Sequence, residues 1–295
     1  MYHRVGGETG GDAAREILPA VSRGAFATQL RHFRRHYRIV RARELLQAVQ
    51  GRRRGERFPV CVTFDDDLAS HVRDALPALR KAGVTATFFL GGVSLEGLQS
   101  FWWQDLQRAV DERLVTADAI PHVAEDDVRA ALAREPKAIF RVAATIEGLE
   151  PSQREEATSA LRAAAGNGVA EEHLNDAGIQ ALVAAGCDVG FHTLRHETLP
   201  LLDDEALDHA LRAGRDRLEA VASRRLDTIS YPHGKADDRV AGAARAAGFI
   251  LGFVTGRRAV TPTADALLLA RIPPALAPGK TALRVARAVA SSTSP

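Results

Sequence analysis

The sequence predicts an α/β fold, a (β/α) barrel of about seven strands interrupted by a helical insertion. Three observations predict it. Short apolar, β-branched runs alternate with stretches of helical periodicity, the pattern of a parallel sheet. The run FPVCVTFDD (58–66) stays apolar until it ends in adjacent carboxylates, as a buried strand does when its C-terminal end opens on a ligand site. Between about Gly91 and Ala170 the alternation stops for a stretch too long to be an ordinary βα connection.

Met1 to Val5 reads as the end of a first strand, followed by a Gly-rich loop. Ser22 caps a helix in which Phe26, Leu30 and Phe33 recur at i, i+4 and i+7. A short strand over 37–40 and a helix over 42–49 closed by Gly51 lead into the Asp-bearing strand 58–64. A helix over 70–82 ending at Gly83 and the strand VTATFFL (84–90) follow. The insertion holds FWWQDLQRAV, AEDDVRAALA and PSQREEATSALRAAAG, all helix-like, and is read as a helical insertion or lid. The rhythm resumes at Asn175 with helix 176–185, strand 187–193, a helix capped by Asp203 and running to about Ser223, strand 228–232, helix 236–247, and strands 249–255 and 267–272. Seven or eight strands, most followed by a helix, fit a closed barrel better than an open sheet. The chain of 295 residues is read as a single domain carrying its insertion.

A formal net charge of +2 argues against a nucleic-acid or membrane-surface footprint, and the arginines at 52–54 and 224–225 read as solvated faces. Two cysteines, Cys61 and Cys187, both in strands, do not make a disulfide framework. No window reaches transmembrane length and the first residues lack an apolar leader, so the expected location is cytoplasmic.

The chemistry-bearing residues fall at strand ends. Asp65 and Asp66 are adjacent there, so their side chains diverge, and one can ligate a metal while the other serves as a base. His192 and His196 form an H-x-x-x-H pair after an apparent strand; on a helical turn, i and i+4 share a face and chelate one ion. As a pair alone they more often describe two surface histidines. Asp66, at another strand end of the same series, completes a His, His, carboxylate set of the kind found in hydrolytic metal sites. SYPHGK (230–235) gives a third strand end, either a plain tight turn or one whose backbone N–H, such as that of His233, donates to a developing oxyanion. Trp102 and Trp103, the only tryptophans, either anchor the insertion or, as Trp103, form a sugar-stacking face.

TFDD (63–66), HTLRH (192–196) and YPHG (231–234), in this order, resemble the polysaccharide deacetylases, the NodB-like enzymes of carbohydrate esterase family four. MYHRV at the start, VTATFFL and AARAAGF resemble them too, so the likeness covers most of the chain outside the insertion. The resemblance implies a distorted (β/α) barrel with one divalent metal, zinc or another transition ion, hydrolysing an N-acetyl group from an amino sugar. It implies Asp65 as the base, Asp66, His192 and His196 as metal ligands, Thr193 as a shaper of the histidine turn, and Tyr231, Pro232 and Gly234 as lining of the substrate groove.

Three departures stand against the pattern. Asp67 replaces the glycine usual after the two aspartates, and Ser230 stands where many members carry an arginine that holds the base. The late histidine that supplies the general acid is absent; that neighbourhood reads LLLARIPP and offers Arg271, a poor proton donor but suited to an anionic substrate group. His3, at the end of the first strand, is the candidate replacement acid and His233 the second. The expected activity is metal-dependent deacylation of an N-acylated amino sugar or a glycan containing it. The alternative is a non-catalytic carbohydrate-binding relative that keeps the fold and metal.

Overall fold

A computed structural model describes residues 1–7, 12–92, 95, 101–166 and 173–292. The chain forms two compact units, one of Met1–Gly10, Ala20–Gly97 and Leu174–Pro295, the other of Gly11–Pro19 and Leu98–His173.

The first unit is built on six parallel strands hydrogen-bonded in sequence order: β3 (Thr63–Asp65), β4 (Thr87–Leu90), β5 (Asp188–Phe191), β6 (Thr228–Ser230), β7 (Leu251–Thr255) and β8 (Leu269–Arg271). Each strand adds beside its predecessor, which curls the sheet into a half-barrel where a doubly wound sheet would reverse direction. Two further strands, β1 (Arg38–Ile39) and β2 (Pro59–Val60), form a separate parallel pair. The run expected as one strand over 58–64 is thus divided: Pro59–Val60 pairs with β1, whereas Thr63–Asp65 pairs with β4, and Cys61–Val62 joins them.

Closure of the barrel differs from the expectation as well. Strands β3 and β8 are the two edges of the sheet. Tyr2 donates to Thr63 O at 2.7 Å and accepts from Asp65 N at 2.9 Å, while the Met1 nitrogen donates to Ile272 O at 2.9 Å. Two residues therefore span the seam in place of a full strand pairing.

Helices pack outside this sheet. Ser22 caps α1 (Arg23–His36) by accepting from Ala25 N at 3.2 Å, and the apolar face of α1 buries Phe26, Leu30 and Phe33. Helix α2 (Leu45–Gln50) is followed by a π-helical turn (His71–Ala75) that continues as α3 (Leu76–Ala82), a distortion of the kind that accumulates beside functional sites. Tyr2, Phe26, Phe64, His71 and Phe88 pack as one aromatic group under β3, with Phe64 and Phe88 stacked at 4.7 Å. A Phe64→Ala change there would cost about 3–5 kcal/mol. Asp188, fully buried at the start of β5, is ion-paired with Arg43 at 2.9 Å and with Arg224, so Arg224 is not simply solvated.

The second unit holds α4 (Trp102–Asp111), α5 (Glu125–Leu132), α6 (Ala138–Gly148) and α7 (Pro151–Ala165), with α4 against α7 and α5 against α6. Leu106, Val128, Val142, Ile146 and Leu161 are among its fully buried residues. The segment 12–19, read from sequence as loop, joins this unit through Ile17 N donating to Gln107 Oε1 at 2.9 Å and Lys137 N donating to Ala14 O at 2.7 Å.

Back in the first unit come α8 (Asp176–Ala184), capped by Asn175, and α9 (Asp204–Arg212), capped by Asp203. The single helix expected over 203–223 breaks at Ala213–Gly214, and α10 (Arg215–Ala222) is separate. Helices α11 (Asp238–Ala246) and α12 (Pro278–Ser292) complete the unit, the last one beyond any element assigned from sequence. No described helix is long and apolar enough to cross a membrane.

Candidate active site

Strand β3 ends at Asp65, and Asp66 turns away in the left-handed region at φ 70°. Aspartate tolerates that region better than most residues, and the turn sends the two carboxylates to different partners. Both are buried, at 2% and 1% exposure.

Asp65 is held by Arg271 from the far edge of the sheet. Arg271 Nη1 donates to Asp65 Oδ1 at 2.6 Å and Nη2 donates to Oδ2 at 2.6 Å. Nη2 also donates to Ser230 Oγ at 2.5 Å, and that hydroxyl in turn donates to Asp65 Oδ2 at 3.2 Å. Burial pushes the Asp65 carboxyl up, but the Arg271 guanidinium and then His192 outweigh it, leaving the group well below the usual carboxylate range. Asp65 is therefore ionised at neutral pH. This corrects the expectation that Arg271 meets an anionic substrate group. Arg271 and Ser230 together hold the Asp65 carboxylate.

His192 directly follows β5, and the expected helical i, i+4 pairing does not form. Thr193 (φ 57°) and His196 (φ 52°) both take left-handed conformations and fold the chain into a tight turn that returns His196 to His192, with ring centroids 4.9 Å apart. A non-glycine residue held there costs on the order of 1–3 kcal/mol and persists only where its surroundings over-determine it. Asp66 Oδ1 lies 3.5 Å from His192 Nε2 and 3.7 Å from His196 Nε2. One ligand atom from each of the three residues lies within 4.8 Å of the others.

This cluster fits a divalent cation on two further observations. Asp66 Oδ1 is buried and accepts no hydrogen bond, an arrangement that costs free energy until a positive partner satisfies it. His192 Nδ1 lies 2.6 Å from Ser230 O, so Nδ1–H donates there and the Nε2 lone pair faces Asp66, the usual way a ligating imidazole is oriented. Burial opposes a charge on His192, yet Asp65 and Asp66 outweigh it and raise its pKa.

The remaining predicted residues divide. His233 sits in the turn Pro232–Gly234 after β6 at φ 56°, its ring edge-on to His196 at 4.5 Å. Gly234 fits at φ 66° because a Cβ there would lie 2.0 Å from Thr255 Oγ1. His3 follows Tyr2 at the C-terminal end of the sheet. Burial lowers its pKa, partly countered by Asp66 and Asp65, so its ring favours the neutral form at pH 7 where an amine-protonating acid must be charged. Tyr231 and Pro232 do not line a groove. Tyr231 is fully buried against β7, where a Cβ on Gly252 would lie 2.4 Å from its hydroxyl. Trp103 belongs to the helical unit, is 5% exposed, and stacks on Phe101 of the same unit at 4.3 Å, so its ring is packed inside that unit.

Two contributors were missed at the sequence level. His71, fully buried, donates through Nε2 to His3 O at 2.9 Å and so fixes the strand end that carries His3. Asp67, noted in the sequence as a departure, accepts backbone hydrogen bonds from Gly91 and Gly92. Its replacement of the usual glycine was the available signal.

The solved structures similar to this chain include the Streptococcus pyogenes deacetylase PplD in complex with acetate, at 16% identity and TM-score 0.62, covering 100% of this chain and 96% of that one. IcaB from Ammonifex degensii is similar at 20% identity and TM-score 0.54, covering 97% and 98%. A polysaccharide deacetylase from Bacillus cereus is similar at 16% identity and TM-score 0.57, covering 98% of this chain and 67% of that one. At these identities the likeness establishes the fold. Curated protein sequences contain no match to this chain. The sequence profile of the polysaccharide deacetylases matches residues 52–118 and 155–251, more than half of the chain, spanning Asp65, Asp66, both histidines of the turn and the Tyr231–Gly234 segment. The chain belongs to the polysaccharide deacetylase family.

Proposed function

We propose that this protein is a divalent-metal-dependent hydrolase that removes the acetyl group from an N-acetylated amino sugar within a glycan. The observation that carries the reading is the juxtaposition of Asp66, His192 and His196 with an Asp65 kept ionised by Arg271. Asp66, His192 and His196 would hold zinc or another divalent transition ion, which when bound polarises an amide carbonyl and acidifies water.

The chain's own groups do the rest. Asp65, ionised and fixed by two hydrogen bonds, accepts a proton from the attacking water as its oxygen bonds to the amide carbon. The C–N bond then breaks, acetate leaves with the new oxygen, and the amine nitrogen takes up a proton. His3 and His233, which the fold brings to the same end of the sheet as Asp65, are the candidate donors. The lowered pKa of His3 favours a second reading, a carbohydrate-binding relative without turnover.

Acetate release from N-acetylglucosamine oligomers, measured with metal-stripped protein before and after zinc addition, separates the two. Zinc-dependent release that His192→Ala abolishes supports the hydrolase. Stoichiometric zinc binding without release across a panel of N-acetylated glycans supports the binding protein.

A further inference from the structure

Asp67 departs from the glycine usual at its position, and it is fully buried. Its Oδ2 accepts from Gly91 N at 3.0 Å and its Oδ1 from Gly92 N at 3.0 Å. Its backbone carbonyl accepts from Leu174 N at 2.7 Å. Gly91 and Gly92 directly follow β4, and Leu174 precedes α8 and its cap Asn175. One residue therefore ties the segment that follows β4 and the segment that precedes α8 to the end of β3.

The same contact reaches the histidine turn. A Cβ on Gly91 would lie 2.5 Å from Thr193 O and 3.2 Å from Asp67 Oδ2, so the Gly91 backbone is wedged between Asp67 and the turn that carries His192 and His196. Asp66, next in sequence to Asp67, and Thr193 both hold left-handed conformations that need external support. Hydrogen bonds from backbone N–H to a carboxylate are stronger than those to a neutral acceptor, and a glycine at this position would provide neither.

We propose that Asp67 is a positioning residue that sets the spacing between Asp66 and the His192–His196 turn by clamping Gly91 and Gly92. The inference rests on the assignment of Asp66, His192 and His196 as metal ligands. Asp67→Asn puts an amide N–H₂ against one of the two glycine donors, and Gly91→Ala disturbs the wedge from the opposite side.

The test is the zinc dissociation constant of the metal-stripped full chain, measured by competition with a chromophoric chelator for wild type, Asp67→Asn, Gly91→Ala and His192→Ala, with the melting temperature of each recorded alongside. Outer-shell changes of this kind typically weaken metal binding 10–100-fold, and that loss is expected in Asp67→Asn and Gly91→Ala below their melting temperatures. Unchanged zinc affinity in a folded variant, however much its melting temperature falls, makes Asp67 merely structural and overturns the proposal. Should Asp67→Asn fail to fold, the affinity of Gly91→Ala decides in the same way. Wild-type affinity in His192→Ala overturns the ligand assignment itself, a failure distinct from that of Asp67.

Discussion

Arg271 and Asp65 stand on opposite edges of the sheet, 206 residues apart in sequence, and meet through two parallel hydrogen bonds of 2.6 Å each. The guanidinium fork matches the carboxylate in geometry as well as charge, which a lysine does not. Asp65 lies within the span matched by the family profile, whereas Arg271 lies beyond its end at residue 251. The carboxylate at the end of one edge strand is thus held by a cation from the other edge strand.

Replacing Arg271 by methionine leaves the Asp65 carboxylate buried without its cation. Breaking such a pair costs about 3–5 kcal/mol of stability. Without the guanidinium, burial dominates and the Asp65 pKa rises, so the base protonates at higher pH than in wild type. The acidic limb of the kcat/KM profile should shift upward in pH, and an unmoved limb would show that Arg271 does not control the base.

Asp65→Asn keeps the shape of the site and removes the proton acceptor. Activity should fall on the order of 10²–10⁴-fold with zinc content unchanged. Loss of zinc, with activity recovered in excess metal, would instead exchange the roles of Asp65 and Asp66.

His71 supplies a stability signature. Burial lowers its pKa from 6.5 to about 4, so the folded protein keeps it neutral while the unfolded chain protonates it. The unfolded state therefore binds the extra proton between these values, and stability falls as pH drops from about 6.5 toward 4. From pH 7 to 5 this group alone should remove about 2 kcal/mol. Urea unfolding of His71→Gln at both pH values should show a drop smaller by about that amount, and equal drops would refute the assignment.

Trp103→Ala should destabilise the protein by about 3–5 kcal/mol, because it empties a buried site and removes the stack on Phe101. A melting temperature that stays constant while KM changes would return Trp103 to a sugar-binding role.

The strands were legible because parallel strands buried on both faces leave apolar, β-branched runs such as VTATFFL, and the caps at Ser22 and Asp203 were legible because capping is a local reaction between a side chain and the next turn. The three metal-ligand candidates could be named for the same reason: each follows a strand. What stayed hidden depends on contacts distant in sequence or on backbone states that residue type does not announce. Nothing in HTLRH says that Thr193 and His196 adopt positive φ, so a helical pairing was the natural expectation. Tyr231 reads as a groove residue until Gly252 is seen to make room for its ring in the core shared by the sheet and its outer helices. The vacancy at Ser230 and the spare cation at Arg271 were each visible, but their connection requires the sheet to curl.

The two-residue seam has a consequence for the order in which structure forms. Neighbouring strands of the sheet are also neighbours in sequence, so most pairings close comparatively short loops, whereas Met1 reaches Ile272 across 271 positions. Ends that meet across such a separation are suited to join last and part first. Because Arg271 belongs to the same edge as Ile272, opening of the seam withdraws the cation from Asp65 while the interior strands remain paired. Mild denaturation would then silence the enzyme before it melts it, with catalytic competence serving as a more sensitive gauge of the joined chain ends than the bulk content of helix and sheet.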